Sequence, residues 1–407
     1  MERFACRKAA TQLHIKDGQG RSVANTDIDV ELLKHQFGFA CGAFDVLNVV
    51  DENLPTAQKE QSQTIMAAWL ELFNTGVLPF YLNRFEPVEG EPATEMTLKA
   101  AKWLHSQNIT LKGHPLCWHT NTVSWLMEKN DEEVLHYQLD RIQRDVGDFQ
   151  GLVDCWDVIN EVVIMPEFVK KENAITRLCQ KIGRVELVRL VFEKARKTNP
   201  NAFLLLNDFN VTSRYLDLFT ACLQAGVEID GVGIQSHQHQ GYWGLEKLHK
   251  VVERFEKLKL PIHFTENTLI SGELMPPHFD DLNDYQVSSW LSSPQGEDRQ
   301  ARQLLEMVDF LFDRPSVEVF TVWCVVDDRW LHAPAGLLRK DGSRKPAFDA
   351  LKQRICKDWH TICTLHTDEN GIAQLEGYQG EYSIKSKYGV GKTVLAKDIP
   401  EQMVVVQ

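Results

Sequence analysis

Eight short apolar segments alternate with amphipathic helical stretches between residues 37 and 352, and this alternation is the feature that most constrains the fold. Apolar runs of this length are typical of parallel strands buried on both faces, and the amphipathic stretches are typical of crossover helices. Eight such units predict an α/β fold, a (β/α)8 TIM barrel over residues 37–356, with functional groups at the C-terminal ends of the strands. The predicted strands are residues 37–42, 78–82, 109–113, 153–159, 203–206, 231–234, 261–264 and 317–326.

The two ends of the chain carry a different pattern. Residues 11–35 predict two strands joined by a turn at 17–20, and residues 361–388 predict three strands with a turn at 368–371. Neither end has enough strands to bury a core alone. We therefore predict that residues 1–36 and 357–407 form one small β-sandwich, with the barrel inserted between them. The alternative is two separate strand pairs that rest on the barrel.

Composition excludes several classes of partner. The net charge of −13 disfavours nucleic acids and anionic membranes, and no apolar run approaches the roughly 20 residues that span a bilayer. Residues 1–12 lack the apolar core of a signal peptide, so we expect a cytoplasmic protein, or a secreted or periplasmic one if a signal was removed. The nine cysteines show no CxxC pair, which predicts no obligatory disulfide framework. We expect a monomer without metal or cofactor.

Two of the apolar segments lead to a glutamate. Residues 156–161 end in the pair Asn160-Glu161, and residues 261–266 end in Glu266. Glutamate is almost never fully buried without a partner, so these positions predict a site. Two carboxylates at strand ends are the minimum for acid/base cleavage of a glycosidic bond. Other strand ends add polar and aromatic residues, namely His114, Trp118, His119, Asn207, Asp208, Gln235, Ser236, His237, His239 and Trp323.

In these motifs the sequence resembles glycoside hydrolase family 10, the retaining endo-β-1,4-xylanases. The matching stretches are residues 113–119, 156–161, 207–210, 233–237, 264–266 and 320–323, together with Trp330, and they follow the family's order. The resemblance implies a (β/α)8 barrel, in agreement with the strand count. It also implies a double-displacement hydrolase that acts on xylan or xylo-oligosaccharides and takes a polysaccharide or oligosaccharide as its partner.

The resemblance further implies a role for each matching residue. Glu161 becomes the general acid/base and Glu266 the nucleophile. Asn160 would hold the 2-hydroxyl of the sugar at the cleavage point, while Gln235 and His237 would hydrogen-bond and orient Glu266. The residues expected to contact or surround the same sugar are His119, Trp118, Trp323 and Trp330.

The chain departs from the family after the second strand. The family carries Glu-Asn-x-x-Lys-Trp there, and this chain has Val77, Leu78 and Tyr81 at the Glu, Asn and Lys positions. Asn121 replaces a Gln and Thr268 replaces an Asp. Loss of charged groups removes charge-assisted hydrogen bonds to a xylose chain, so xylan is bound differently or the substrate is another β-glycoside. We take Tyr81 and Asn121 as candidate substrate-binding residues.

Residues 268–299 form a long stretch with loop composition after the seventh strand. Long loops in compact domains are usually functional or disordered. We predict a wall or lid on the leaving-group side of the site, with a purely structural excursion as the alternative.

Three alternatives to an endo-xylanase stay open at this point. The first is an exo-acting enzyme, or one of different specificity, that cleaves another β-glycan or an aryl β-glycoside on the same barrel. The second is a metal-dependent hydrolase that uses His237, His239, His114 and His119. The third is a non-catalytic carbohydrate-binding protein.

Overall fold

The structure is a computed structural model that describes residues 3–407. The chain forms two compact units. One contains the chain up to Gly38 together with Val308–Pro315 and Asp349–Gln407, and the other contains Phe39–Met307 and Ser316–Phe348. Three segments that we assigned to the barrel therefore group with the terminal segments, namely residues 37–38, Val308–Pro315 and residues 349–356. Among the described residues, no helix has both the length and the apolar character needed to cross a membrane.

Fifteen strands are present in residues 3–407. They are β1 Lys8–Asp17, β2 Asp27–His35, β3 Gly38–Gly42, β4 Thr75–Pro79, β5 Thr110–His114, β6 Cys155–Asn160, β7 Phe203–Asp208, β8 Gly231–Gln238, β9 Ile262–Leu269, β10 Val317–Val322, β11 Ile362–His366, β12 Ile372–Tyr378, β13 Gly380–Ser386, β14 Gly389–Leu395 and β15 Glu401–Val406.

The same residues form eleven α-helices, most of them between barrel strands. They are α1 Val46–Val50, α2 Thr56–Leu70, α3 Leu82–Phe85, α4 Thr94–Ser106, α5 Asp131–Asp148, α6 Ala174–Ile182, α7 Arg184–Thr198, α8 Ser213–Gln224, α9 Gly244–Glu256, α10 Pro294–Phe312 and α11 Pro346–Gln353.

Strands β3 to β10 close into a barrel in chain order, with β10 beside β3. Helices separate successive strands, so the predicted (β/α)8 TIM barrel is confirmed. Close packing inside it explains a glycine of the first motif. A Cβ atom on Gly113 of β5 would lie 2.1 Å from the ring of Trp156 on β6, which is fully buried. Only glycine allows these two strands to approach with the indole between them.

The predicted second strand was misplaced. We expected it at residues 78–82, but β4 ends at Pro79 and the short helix α3 begins at Leu82. Proline has no N–H for the strand ladder, and Tyr81 is the residue that precedes the first turn of α3. Tyr81 therefore lies on the loop at the C-terminal end of the barrel and outside the sheet.

Strands β8 and β9 are longer than predicted and carry the site residues within the sheet. Their pairing continues through Gln235 with Glu266 and His237 with Thr268. Glu266 therefore stands inside β9, three residues before its last residue, Leu269. All eight side chains of β9 are buried, which explains why this segment reads as a continuous core strand.

The terminal unit contains two sheets that combine strands from both ends of the chain. One has the order β12-β1-β15 and the other the order β11-β2-β13-β14. Strand β1 is antiparallel to β12 and parallel to β15, and β2 is antiparallel to both of its neighbours. Alternate side chains of β1 and β2, such as Leu13, Ile15, Ile28 and Val30, are buried. The two ends of the chain thus share sheets.

Candidate active site

Glu161 follows the last residue of β6 and has an unusual backbone. Its φ of 57° lies in the left-handed region, which residues with a side chain rarely adopt. Its N–H donates a 2.9 Å hydrogen bond to the carbonyl of Asn207, on the neighbouring strand β7. Such a conformation persists where the surroundings fix it, and it is concentrated at functional sites.

Three side chains donate hydrogen bonds to the carboxyl group of Glu161. Trp118 Nε1 lies 2.9 Å from Oε2, while Asn160 Nδ2 and Gln235 Nε2 lie 3.2 Å and 3.0 Å from Oε1. Burial of the carboxyl, opposed by the hydrogen bond from Gln235 and assisted by the charge of Glu266, raises the pKa of Glu161 to about 8. Glu161 therefore holds its proton at neutral pH.

Glu266 is also buried, with 4% of its surface exposed, but its surroundings favour the charged form. Its Oε1 accepts a hydrogen bond from Asn207 Nδ2 at 2.9 Å, and its Oε2 lies 3.1 Å from His237 Nε2. Burial alone would raise the pKa of Glu266. The nearby His114 and the hydrogen bond with His237 outweigh burial, and the pKa falls below its ordinary value. The two carboxyl groups thus have opposite protonation states.

A chain of amide groups joins these two carboxyl groups. Asn160 Oδ1 accepts from Asn207 Nδ2 at 2.8 Å and from Gln235 Nε2 at 3.1 Å. Gln235 also reaches Glu161, and Asn207 also reaches Glu266. Each amide is therefore held by the next, and the network links the positions of the two carboxyl groups.

One predicted contact differs in the structure. We expected Gln235 to hydrogen-bond Glu266, but its amide donates to Asn160 and Glu161. Both oxygens of Glu266 are already engaged, by Asn207 and His237, so the amide of Gln235 turns to the other carboxyl group.

The imidazole of His237 connects Glu266 to Thr268. His237 Nδ1 lies 3.2 Å from the Thr268 hydroxyl oxygen, and Nε2 faces Glu266. A proton on Nε2 allows that nitrogen to donate to the carboxylate, while Nδ1 accepts from the hydroxyl. Thr268 thus supplies a hydrogen bond at the position where the family pattern has an aspartate.

A buried ionic group on β5 and β6 holds one histidine of the site in place. Asp157 Oδ2 lies 2.7 Å from Lys112 Nζ and 2.7 Å from His114 Nδ1, and Asp157 is completely buried. A carboxylate on Nδ1 fixes the orientation of the ring, which directs His114 Nε2 toward Glu266 at 3.9 Å. Burial alone would raise the pKa of Asp157, but the charge of Lys112 and the hydrogen bond with His114 lower it, so Asp157 stays ionised inside the barrel.

Two of these residues, Lys112 and Asp157, were not predicted as site residues. Asn207 was predicted as a polar residue at a strand end, but without a role. Lys112 and Asp157 lie inside apolar strands, and a charged residue within such a run is the signal that could have revealed them.

Aromatic rings form one wall of the site. Tyr81 lies 5.5 Å from His114 and 5.8 Å from Trp118, measured between ring centroids. Trp323 lies 5.2 Å from His114 and 6.0 Å from His237. Tyr81 also packs with Trp323 and the fully buried Val77. The end of β4 and the loop after it therefore present apolar and aromatic groups.

The other predicted binding residues lie at different distances from this network. The ring of Trp330 is 4.4 Å from that of His237. His119 is buried beside Phe168, at 4.6 Å between ring centroids, and burial lowers its pKa to about 4. Within residues 3–407, neither ring nitrogen of His119 has a hydrogen-bond partner. Asn121 is exposed and contacts Asn83, so it stands apart from both glutamates in the hydrogen-bond network.

The histidines of the metal-dependent alternative have other surroundings. His237 faces Glu266, and His239 packs among the rings of Trp290 and Trp330, at 5.7 Å and 5.0 Å. In the part of the chain that the structure describes, no group of three or more His, Cys, Asp or Glu residues could hold a metal ion.

The site can be compared with known proteins. The sequence model of glycosyl hydrolase family 10 matches residues 83–354. An endo-1,4-beta-xylanase of Geobacillus stearothermophilus is 28% identical over 290 residues, which cover 65% of this chain and 83% of that protein. An endo-1,4-beta-xylanase/feruloyl esterase of Xylanibacter ruminicola is 28% identical over 222 residues, which cover 47% of this chain and 30% of that protein.

Solved structures show the same barrel. A family 10 structure from Paenibacillus barcinonensis superposes with a TM-score of 0.64 at 20% identity, and the alignment covers 79% of this chain and 95% of that one. At this identity the likeness concerns the fold alone. The match to the sequence model extends over more than half of the chain, and the residues with the strongest geometric support, Glu161 and Glu266, fall inside it. The chain belongs to glycosyl hydrolase family 10.

Proposed function

We propose that this chain is a retaining endo-1,4-β-xylanase that hydrolyses xylan or xylo-oligosaccharides. One observation carries the proposal. Glu161 has a pKa raised to about 8, whereas the pKa of Glu266 is lowered, and the two are linked through Asn160 and Asn207. A protonated acid beside an ionised nucleophile is the pair that double displacement at a β-glycoside requires. We take the identity of the sugar, xylose, from the matched relatives, which are named xylanases.

The first step forms a covalent intermediate. The carboxylate of Glu266 attacks the anomeric carbon, and the bond between that carbon and the leaving oxygen breaks. Glu161 gives its proton to that oxygen, so the leaving sugar departs as a neutral alcohol. Trp118 and Gln235 already donate hydrogen bonds to Glu161 and stabilise the carboxylate left behind.

The second step restores the enzyme. Glu161, now ionised, takes a proton from a water molecule, whose oxygen attacks the anomeric carbon and releases Glu266 as a carboxylate. Two inversions at the same carbon give net retention. His237 and Asn207 remain hydrogen-bonded to Glu266 and stabilise its charge when it leaves.

Asn160 is the candidate for binding the 2-hydroxyl of the sugar. Its side chain is held between Asn207 and Gln235, so its position is fixed before substrate arrives. A hydrogen bond to that hydroxyl strengthens in the oxocarbenium-like transition state. Tyr81, Trp118, Trp323 and Trp330 would surround the ring of the same sugar.

A second candidate is a β-glycosidase of different specificity or exo action. The observation that favours it is the apolar stretch formed by the end of β4 and the loop after it, where Val77 is fully buried and Tyr81 packs against Trp118. Charged groups that could bind a second sugar of the glycone are replaced there by an aromatic face. Relative rates on xylan, 4-nitrophenyl β-xyloside and 4-nitrophenyl β-glucoside distinguish the two candidates.

Rescue by azide tests the roles of the two glutamates. With an activated aryl β-xyloside, we expect Glu161→Ala plus azide to give the β-xylosyl azide, because the nucleophile is intact. We expect Glu266→Ala plus azide to give the α-xylosyl azide by a single displacement. Unchanged hydrolysis by both variants would refute the assignment of the carboxyl groups.

A further inference from the structure

The segment between β9 and α10, residues 270–293, is a folded element, and we name it the strap. It is shorter than the predicted loop 268–299, because β9 continues to Leu269 and α10 begins at Pro294. Trp290 is 8% exposed and packs with Ile270 and Met275 in a small apolar cluster. Its indole nitrogen donates a 2.8 Å hydrogen bond to the carbonyl of Glu273.

The two ends of the strap are joined at its base. Gly272 and Ser292 form an antiparallel bridge, and Arg299 donates to the carbonyl of Gly272. Lys345, whose side chain is fully buried, donates a 2.8 Å hydrogen bond to the hydroxyl of Ser271. The strap therefore leaves the barrel and returns to it at one fixed place.

From this base the strap extends over the end of β8. The N–H of Met275 donates a 2.9 Å hydrogen bond to the carbonyl of His239. The amide of Gln240 donates to the carbonyls of Pro276 and Phe279, at 3.2 Å and 2.7 Å. These contacts attach the strap to the residues that follow β8.

The part of the strap that contains Asp281 and Asp284 contacts the loop after β6, which begins with Glu161. Lys170 Nζ lies 2.9 Å from Asp281 Oδ2 and 2.5 Å from Asp284 Oδ2. The charge of Asp281 also acts on His119, on the loop after β5. The strap thus extends from β9 to the loop after β6, across the C-terminal end of the barrel.

The strand order places the strap opposite the aromatic wall. Tyr81 and Trp323 follow β4 and β10, on the arc that runs from β10 through β3 to β5. The strap lies mainly on the other arc, from β6 to β9, and its apolar cluster also contacts Ala333 and Ala335 on the loop after β10. The acid must stand beside the leaving oxygen, and Lys170 lies on the loop that follows Glu161. The strap therefore covers the leaving-group side.

We propose that the strap narrows the leaving-group end of the cleft, so that this endo-acting enzyme cleaves xylo-oligosaccharides at the internal bonds near their reducing end rather than in the middle of the chain. This inference rests on the proposed function. The Lys170 contacts with Asp281 and Asp284 act as a latch that holds the strap over the cleft. The latch and the apolar cluster around Trp290 together define which leaving groups fit.

Two variants open the cleft in independent ways. Lys170→Ala removes the latch. A second variant replaces residues 273–291 by two glycines, which the paired positions Gly272 and Ser292 allow because their backbones already lie side by side. Lys250→Ala is the matched control, since it removes an exposed lysine that pairs with Glu246 at 2.6 Å on the outer helix α9.

The substrate is xylohexaose with heavy carbon in its reducing-end sugar, and early products are analysed by mass spectrometry. We expect the wild type and the control to place the label in the shortest fragments, and both opened variants to move it to longer ones. In both opened variants, we also expect the ratio of kcat/KM on polymeric xylan to kcat/KM on 4-nitrophenyl β-xyloside to rise about tenfold above that of the wild type. Far-UV circular dichroism spectra that match the wild type show that the variants fold, and the aryl xyloside is the reference substrate with the smallest leaving group.

Mid-chain cleavage by the wild type, or the same label distribution in the wild type and both variants, would overturn the role of the strap. Absence of wild-type hydrolysis of every xylose-based substrate would instead overturn the proposed function. The two failures are distinct, because the first requires an active xylan hydrolase and the second excludes one.

Discussion

The carboxamide of Asn207 donates a 2.9 Å hydrogen bond to the carboxylate of Glu266. The two residues lie on β7 and β9, with β8 between them in the barrel. Gly233 of β8 makes this contact possible, since a Cβ atom there would lie 2.6 Å from Asn207 Oδ1. A glycine in the middle strand thus gives the amide of Asn207 the space that it needs to reach the nucleophile.

This contact predicts a catalytic cost for Asn207→Ala. Loss of a preorganised donor to the nucleophile, and of the donor to Asn160, should lower kcat/KM on an aryl β-xyloside by about a hundredfold. Steady-state kinetics measure the effect. Asn201→Ala, at an exposed position, is the control and should match the wild type. A loss below about threefold would show that Asn207 only fills space.

The pH profile of kcat/KM should be bell-shaped. Activity should decline as the pH rises through the pKa of Glu161, near 8, because the acid loses its proton. It should decline at low pH as Glu266 becomes protonated, at a pH below the ordinary range of a glutamate. An alkaline limb that persists in Glu161→Ala, measured with a good leaving group, would assign that limb to another residue.

Trp118→Phe should move the alkaline limb upward. The indole N–H donates to Glu161 Oε2 and favours its charged form, so its removal raises the pKa of Glu161 further. We expect a shift of about half to one pH unit in the profile of kcat/KM. Trp103→Phe, on the outer helix α4, should leave the limb in place. A downward shift would contradict the assigned direction of the hydrogen bond.

Asp157→Asn should destabilise the barrel. The change leaves Lys112 without its counter-charge and His114 without its carboxylate partner in a buried position, and removal of one partner from a buried ionic group costs about 3–5 kcal/mol. Urea unfolding measures the free energy of unfolding. Glu246→Gln breaks an exposed pair and should cost less than about 1 kcal/mol. Equal effects of the two substitutions would show that the buried group contributes no more than a surface pair.

The barrel could be predicted from the sequence because its strands are short, continuous apolar runs separated by helices. The glutamates could be located because each ends or interrupts such a run. The second strand was misplaced by about three residues, since Phe80 and Leu82 are as apolar as the strand itself although the chain has already left the sheet after Pro79.

The partners of individual side chains could not be predicted from the sequence. The pairing of β8 with β9 shifts between Ile234 and Gln235, and the pairing of β6 with β7 shifts between Asp157 and Ile159. Each irregularity redirects the side chains beyond it. The amide of Gln235 therefore reaches Glu161, and a pattern of residue types carries no record of such shifts.

The length of the loop after β9 predicted a wall or lid. The contacts that attach the strap to other loops could not be predicted from the sequence. The contacts of Lys170 with Asp281 and Asp284 join residues far apart in sequence, and charged residues in loops occur throughout this acidic chain. Only the closed barrel brings the loop after β6 close to the strap.

Covalent trapping tests the central claim most directly, namely that Glu266 is the nucleophile and Glu161 the acid/base. A 2-deoxy-2-fluoro-β-xyloside with a good leaving group should inactivate the enzyme, because the fluorine slows the second step more than the first is slowed. Peptide mass spectrometry should then place one fluoroxylosyl group on Glu266. Attachment to another residue, or turnover to an α-configured product without any adduct, would contradict the account.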